Sequence, residues 1–265
     1  MIFFIKNLLT VIFYTGVVMA STANYEHPRS QLQKLSKNKV QLWVVGYINA
    51  NLEDHIKDLE LSFANGADAI VFESSDYKKL DAQLGEIRKR FPKQVIGVNF
   101  LGSDANLHSF KETFALAKKH KLQIAWTDFS GIDLIKEAPE VSLQQILAEK
   151  PADVFYVSGI HMKYSTLIDS AKPIEKSATQ AMGWVDGIVI TGPKTGVPTD
   201  PEKARRARSV IGDYPLGVAS GVSAENVKTL LPYIDYALVN SSIADKNHRV
   251  IGEKVKALRA AMDAK

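Results

Sequence analysis

The sequence predicts a single α/β domain, a (β/α)8 TIM barrel, and three observations carry that expectation. From residue 40 onward eight short apolar runs begin every 20 to 34 residues, each followed by room for one helix. The runs are rich in Val, Ile, Phe and Tyr and alternate little, as strands do when both faces are buried. Eight such units in about 225 residues fit a closed barrel, whereas a doubly wound sheet usually has five to seven strands.

In chain order the strand candidates are Val40–Ile48, Ala69–Glu73, Val95–Phe100, Gln123–Thr127, Asp153–Ile160, Gly187–Thr191, Leu216–Ala219 and Tyr236–Asn240. After the first, Asn51 predicts the cap of a helix with Leu52, Ile56, Leu59 and Phe63 on one face, ended at Gly66. After the third, Leu107, Phe110, Phe114 and Ala117 form a second apolar stripe. After the sixth, Asp200-Pro201-Glu202 supplies a cap, a proline at the first helical position and an acid in the first turn. After the seventh, Ser223 predicts the cap of a helix whose buried side is Val227, Leu230 and Leu231.

Composition narrows the function. Charged residues are 23% and hydrophobic residues 46%, near the globular average, which excludes disordered and fibrous classes. The absence of cysteine excludes a disulfide scaffold, a Cys-ligated zinc and a thiol nucleophile. Residues 1–40 hold five of the 33 basic side chains and one of the 29 acids, which leaves 28 of each beyond them. The net charge of +4 therefore belongs to the amino terminus, and no nucleic-acid partner is expected.

Two segments are expected: residues 1–39 as leader and polar tail, and 40–265 as the barrel. Residues 1–20 read either as a weak signal sequence or as an over-extended start with Met19 as the true one. The second reading predicts a cytoplasmic protein, the first an exported one. Polar residues dilute the leader below the roughly 20 apolar residues of a spanning helix, so no transmembrane anchor is expected.

In a barrel of this class the site lies at the carboxyl ends of the strands. Those ends carry Tyr47, Asn49, Glu73, Asn99, Thr127, Asp128, His161, Lys163, Thr191, Lys194, Ser220, Asn240 and Ser241. Such polar residues are expensive to bury without partners, so their concentration marks a pocket. Ser220, Gly221 and Val222 in one loop, and Ser241 and Ser242 in the next, are expected to hold a phosphate on backbone N–H groups. The second of these loops is expected to open a short extra helix. Thr191, Gly192 and Lys194 open a flexible loop that is a candidate to close over an anion; the alternative is a solvated lysine. Asn99 is a further ligand-binding candidate. Asp128 and Glu73 are the candidate general bases. His161 and Lys163, two apart, would face the mouth together and stabilise negative charge. No two histidines lie at a metal-binding spacing, so no metal and no cofactor are expected.

A family resemblance extends this reading. Asp186-Gly-Ile-Val-Ile-Thr-Gly-Pro-Lys-Thr-Gly196, followed by Pro215-Leu-Gly-Val-Ala-Ser-Gly-Val-Ser-Ala-Glu-Asn-Val227, resembles the BtpA/SgcQ family. Gly66-Ala-Asp-Ala-Ile-Val-Phe-Glu73, Ile96-Gly-Val-Asn-Phe-Leu-Gly-Ser-Asp-Ala105 and His161-Met-Lys163 fall in the matching order. The resemblance implies a barrel of the phosphoribosylanthranilate-isomerase-like, phosphate-binding superfamily. Its members are associated with photosystem I biogenesis or are encoded beside sugar-metabolism genes. This chain departs from them in the first loop (Gly46-Tyr-Ile-Asn-Ala-Asn51), at Gly102, before His161, and at Asn240-Ser-Ser242. It reads as a divergent member.

Two classes of function follow. One is an isomerase or lyase, independent of metal, acting on a small phosphorylated sugar- or nucleotide-like metabolite. The other is a non-catalytic assembly or biogenesis factor using the barrel as scaffold or sensor. The sequence leaves open peripheral membrane association and a homo-oligomer.

Overall fold

The computed structural model describes residues 26–102, 109–130, 146, 148–163 and 172–264. The leader at 1–20, Leu107 and the 103–105 part of the family resemblance lie outside them.

Eight parallel strands close into one barrel in chain order. They are β1 Gln41–Tyr47, β2 Ala69–Ser74, β3 Ile96–Phe100, β4 Ile124–Thr127, β5 Phe155–Gly159, β6 Gly187–Thr191, β7 Leu216–Ala219 and β8 Tyr236–Val239. All eight expected strands are present, each end within two residues of its expected place. The described helices are α1 Pro28–Leu35, α2 Leu52–Ala64, α3 Tyr77–Arg90, α4 Ser109–Lys119, α5 Ile174–Ala181, α6 Pro201–Ile211 and α7 Gly252–Asp263. Asn51 and Asp200 cap α2 and α6 as expected, accepting from the N–H groups of Asp54 and Glu202.

One apolar cluster lies between strands and helices, and a second fills the barrel. Inside, the Trp43 and Tyr236 rings stack with centroids 4.3 Å apart. Glycine makes this possible, because a Cβ at Gly217 would lie 2.0 Å from the Tyr236 ring.

The base of the barrel repeats four times. Directly before each even-numbered strand stands an acceptor that binds the N–H of the first or second residue of the strand before it. Asp68 accepts from Leu42 (2.7 Å), Gln123 from Ile96 (3.1 Å), Asp186 from Tyr156 (2.8 Å) and Asp235 from Leu216 (2.9 Å). Each acceptor also meets a cation, in turn Arg259, Arg88, Lys150 and Arg208. Strand side chains alternate, so residues one, three and five beyond each acceptor point inward. The third ones, Val71, Trp126, Val189 and Leu238, pack in the interior cluster. The fifth ones are Glu73, Asp128, Thr191 and Asn240. The base thereby sets a ring of four polar residues at the mouth.

Three local expectations are corrected. Part of the expected polar tail forms α1, which brings Leu32 to 2% exposure under the barrel interior. Gln41 donates to the Leu32 carbonyl (2.7 Å) and Arg29 pairs with Asp235 (2.5 Å), so polar residues tie the helix down. After β7 there is a 3-10 turn, Val227–Thr229, in place of a capped helix. There Asn226, not Ser223, supplies the turn chemistry: it accepts from the Ser223 N–H (3.0 Å) and donates to the Gly221 carbonyl (2.7 Å). Val227 and Leu230 are buried all the same. After β8, residues 240–243 form a turn closed by Ile243 N–H on Asn240 O (2.9 Å), with no extra helix. Among the described residues no helix is long and apolar enough to cross a membrane.

Candidate active site

Register assembles one half of the mouth. Tyr47 on β1 lies opposite Glu73 on β2, and Glu73 opposite Asn99 on β3. Asp128 follows β4. The Asn99 side-chain nitrogen donates to Asp128 Oδ1 (3.1 Å) and stands 3.5 Å from Glu73 Oε2. One amide therefore sits between two carboxyls, and the Tyr47 hydroxyl donates to Glu73.

Burial governs the protonation of this group. Glu73 is 6% exposed, and desolvation, reinforced by the Asp128 charge, pushes its pKa up to about 8. Asp128 is also raised by desolvation, against the opposing pull of Asn99 and Lys163. The two acids repel each other's charge, so the pair gives up its protons in two steps and keeps one proton after the first is lost. Burial and the two carboxylates hold the Tyr47 phenol well above its usual range, so it remains a donor. The result is an ionised acid beside a protonated one, facing Lys163.

The other half of the mouth is made of main chain. Ser220 and Gly221 are both left-handed, with φ of 70° and 66°. None of the described residues accepts a hydrogen bond from the N–H groups of Ser220, Gly221, Val222, Ser241 or Ser242. The Ser242 hydroxyl donates to the Val222 carbonyl (2.6 Å) and ties the two loops together. Gly221 is required on two counts: its φ is positive, and a Cβ there would lie 2.3 Å from the Val197 carbonyl carbon. These loops and the acids line one cavity of about 600 Å³, open mouth included, with Val45, Trp126, Met162 and Leu238 as its apolar floor.

The remaining candidates divide. Lys163 lines the cavity, and its N–H donates to Thr191 Oγ1 (2.6 Å) at the end of the neighbouring strand β6. His161 does not join it. β5 ends at Gly159, where a Cβ would lie 2.2 Å from the Asp128 carbonyl oxygen, so strand spacing no longer applies beyond that point. His161 takes a left-handed φ of 46° and turns to Ser177 on α5, with Nε2 to Oγ at 3.1 Å. Gly192 packs behind the wall, where a Cβ would lie 2.2 Å from the Val197 carbonyl oxygen. Lys194 is exposed and outside the cavity.

From the sequence Tyr47 is only a strand end, and Trp126, Met162 and Lys203 are not among the site candidates. The alternation Val45-x-Tyr47 was the signal for the first. Lys203, in the first turn of α6, donates to the carbonyls of His161 and Thr191 (2.7 Å each) and fastens the loops that carry Lys163. Nothing in a helix's first turn announces that.

A model of the BtpA family matches residues 46–263. An uncharacterized protein of Pyrococcus abyssi is 24% identical over 212 residues, 76% of this chain and 81% of the relative. One of Methanocaldococcus jannaschii is 25% identical over 218 residues, 74% and 80% of the two chains. Among solved structures, phosphoribosyl anthranilate isomerase from Thermus thermophilus superposes with a TM-score of 0.58 at 17% identity, covering 84% of this chain and 98% of that one. Tryptophan synthase subunit alpha from Legionella pneumophila gives 0.62 at 11% identity, covering 91% and 99%. Likeness at such identity speaks for the barrel fold.

Proposed function

The chain belongs to the BtpA family, and on that premise we propose that it binds a small phosphorylated, sugar- or nucleotide-like metabolite and moves a proton on it as an isomerase or lyase. The observation that carries this reading is the pairing of Glu73 and Asp128 on one Asn99 amide, across a cavity from five backbone N–H groups that none of the described residues binds. A neighbour named as a phosphoribosyl anthranilate isomerase supports a phosphorylated ligand.

In this reading the phosphate rests on the N–H groups of Ser220–Val222 and Ser241–Ser242. For an isomerisation, Asp128 takes the proton from the carbon beside a carbonyl. The C–H electron pair becomes a C=C bond while the carbonyl oxygen takes the Glu73 proton, and Lys163 stabilises the charge developing there. Asp128 then returns its proton to the former carbonyl carbon while the hydroxyl on the first carbon gives its proton to Glu73 and becomes the new carbonyl, which restores both acids with no net change in electrons.

The test is incubation of the protein in D2O with a panel of phosphorylated aldoses, ketoses and nucleotides, read by mass spectrometry. Deuterium is expected at the carbon next to the carbonyl of at least one member. Glu73→Gln and Asp128→Asn are each expected to slow that exchange by about 100-fold or more. A ligand that stabilises the fold but exchanges no proton would overturn the catalytic part and favour a non-catalytic binding factor.

A further inference from the structure

The loop after β8 contains a structure that the proposed chemistry does not use. Ala244 and Val250 form an antiparallel bridge, and Asp245 Oδ1 accepts from the N–H groups of Asn247 (2.7 Å) and Arg249 (2.9 Å). Arg249 reaches across to Asp54 (2.6 Å) and Asp58 (2.7 Å) on α2. The hairpin is thus pinned at its base. Near its tip His248 has a φ of 61°, a conformation that residues other than glycine adopt rarely, Asn, Asp and His less rarely than most. A strained residue persists when its surroundings hold it, and what this one touches is specific. Its ring centroid lies 4.7 Å from that of Tyr47, with the planes at 58°. Its Nδ1 is 3.0 Å from Asn240 Oδ1. Asn240 Nδ2 donates to the Val45 carbonyl (2.7 Å), which fixes Oδ1 as the acceptor and places the hydrogen on His248 Nδ1. One imidazole therefore touches the first residue of the acidic half and the last residue of the ring, where β8 meets β1.

We propose that His248 is a positioning residue that holds the Tyr47 phenol against Glu73. Its consequence for turnover rests on the function proposed above; its geometry does not. The groups facing His248 are Tyr47, Asn240 and, on its own turn, Asp245, while those facing Glu73 are Tyr47, Asn99, Asp128 and Lys163. The Tyr47 hydrogen bond favours the ionised form of Glu73, so losing it shifts the Glu73 titration upward.

The experiment follows the Glu73 carboxyl by 13C NMR in the full chain: wild type, His248→Asn, Tyr47→Phe and the double variant. Asparagine tolerates the left-handed backbone, which keeps the hairpin intact. Both single variants are expected to raise the midpoint by a similar amount, with no further rise in the double variant. A midpoint that moves in Tyr47→Phe but not in His248→Asn would overturn the proposal, and so would additive shifts. With a substrate from the D2O panel, His248→Asn is expected to lower the exchange rate about 5- to 20-fold, on the low side of a lost acid–base group, with KM within about twofold. The titration needs no turnover, so absence of exchange would count against the proposed function and leave His248 to be judged on its own.

Discussion

The two halves of the barrel mouth occupy equivalent places in one repeat and carry different chemistry. Strands β1–β4 present Tyr47, Glu73, Asn99 and Asp128, two carboxyls with a phenol and an amide that donate to them. Strands β6–β8 present Thr191 and Asn240, with loops beside them whose main-chain N–H groups none of the described residues binds. Glu73, Asp128, Thr191 and Asn240 each stand five residues beyond a base acceptor, at or just past the end of an even-numbered strand. The base therefore fixes where the ring sits, and one side chain per repeat decides what that sector does. In the proposed function, anion binding needs no charged side chain in its sector because backbone donors suffice. The proposed proton transfer needs carboxyls, whose burial is tolerated because Asn99, Tyr47 and Lys163 face them.

The largest difference between the halves is expected in turnover: Asp128→Asn or Glu73→Gln lowers exchange by about 10²–10⁴, while ligand binding at the other half persists. Next in size is pH dependence. The folded state holds the Glu73 proton up to about 8, whereas a free glutamate releases it near 4.5. Between those values the native state binds more protons than the unfolded one, so stability falls as pH rises, by at most about 1.4 kcal/mol per pH unit for one group. Asp128, also raised, adds to the fall in the same direction. Urea unfolding at pH 5, 6.5 and 8 is expected to show the decline in wild type and a flatter profile in Glu73→Gln. An equal slope in both would remove Glu73 as its source.

Thr191→Val probes the neutral half and is expected to lower stability by about 1–3 kcal/mol, because the Lys163 N–H loses its buried acceptor. Denaturant midpoints check this, and a neutral result would mean that the bond is dispensable. Smallest is Lys194→Ala. This exposed lysine lies outside the cavity, so changes beyond about 0.5 kcal/mol in stability or any loss of binding are not expected.

Much of this arrangement was legible in the sequence. Strand apolarity gave the barrel, and counting to each strand's end found Glu73, Asn99, Asp128 and Thr191, since the inward direction continues unbroken to the mouth. His161 failed because β5 stops two residues earlier, where close packing at Gly159 turns the chain. The fourfold base was half visible: Asp68, Asp186 and Asp235 each stand directly before an apolar run, while Gln123 breaks the pattern with an uncharged acceptor. Helix α1 was hidden because one buried leucine among polar residues leaves no apolar stripe. Lys203 and His248 act through contacts between loops, which no local pattern encodes.

The most direct test of the divided mouth is thermal unfolding of the protein with and without one phosphorylated ligand from the panel, in wild type, Glu73→Gln, Asp128→Asn and Gly221→Val. At one hundred times its dissociation constant a ligand stabilises by about 2.7 kcal/mol, a shift of a few degrees. The expected result is a shift that survives both carboxyl substitutions and disappears in Gly221→Val, whose side chain would collide with the Val197–Pro198 backbone. A shift abolished by the carboxyl substitutions, or kept by Gly221→Val, would contradict the separation of anion binding from proton transfer.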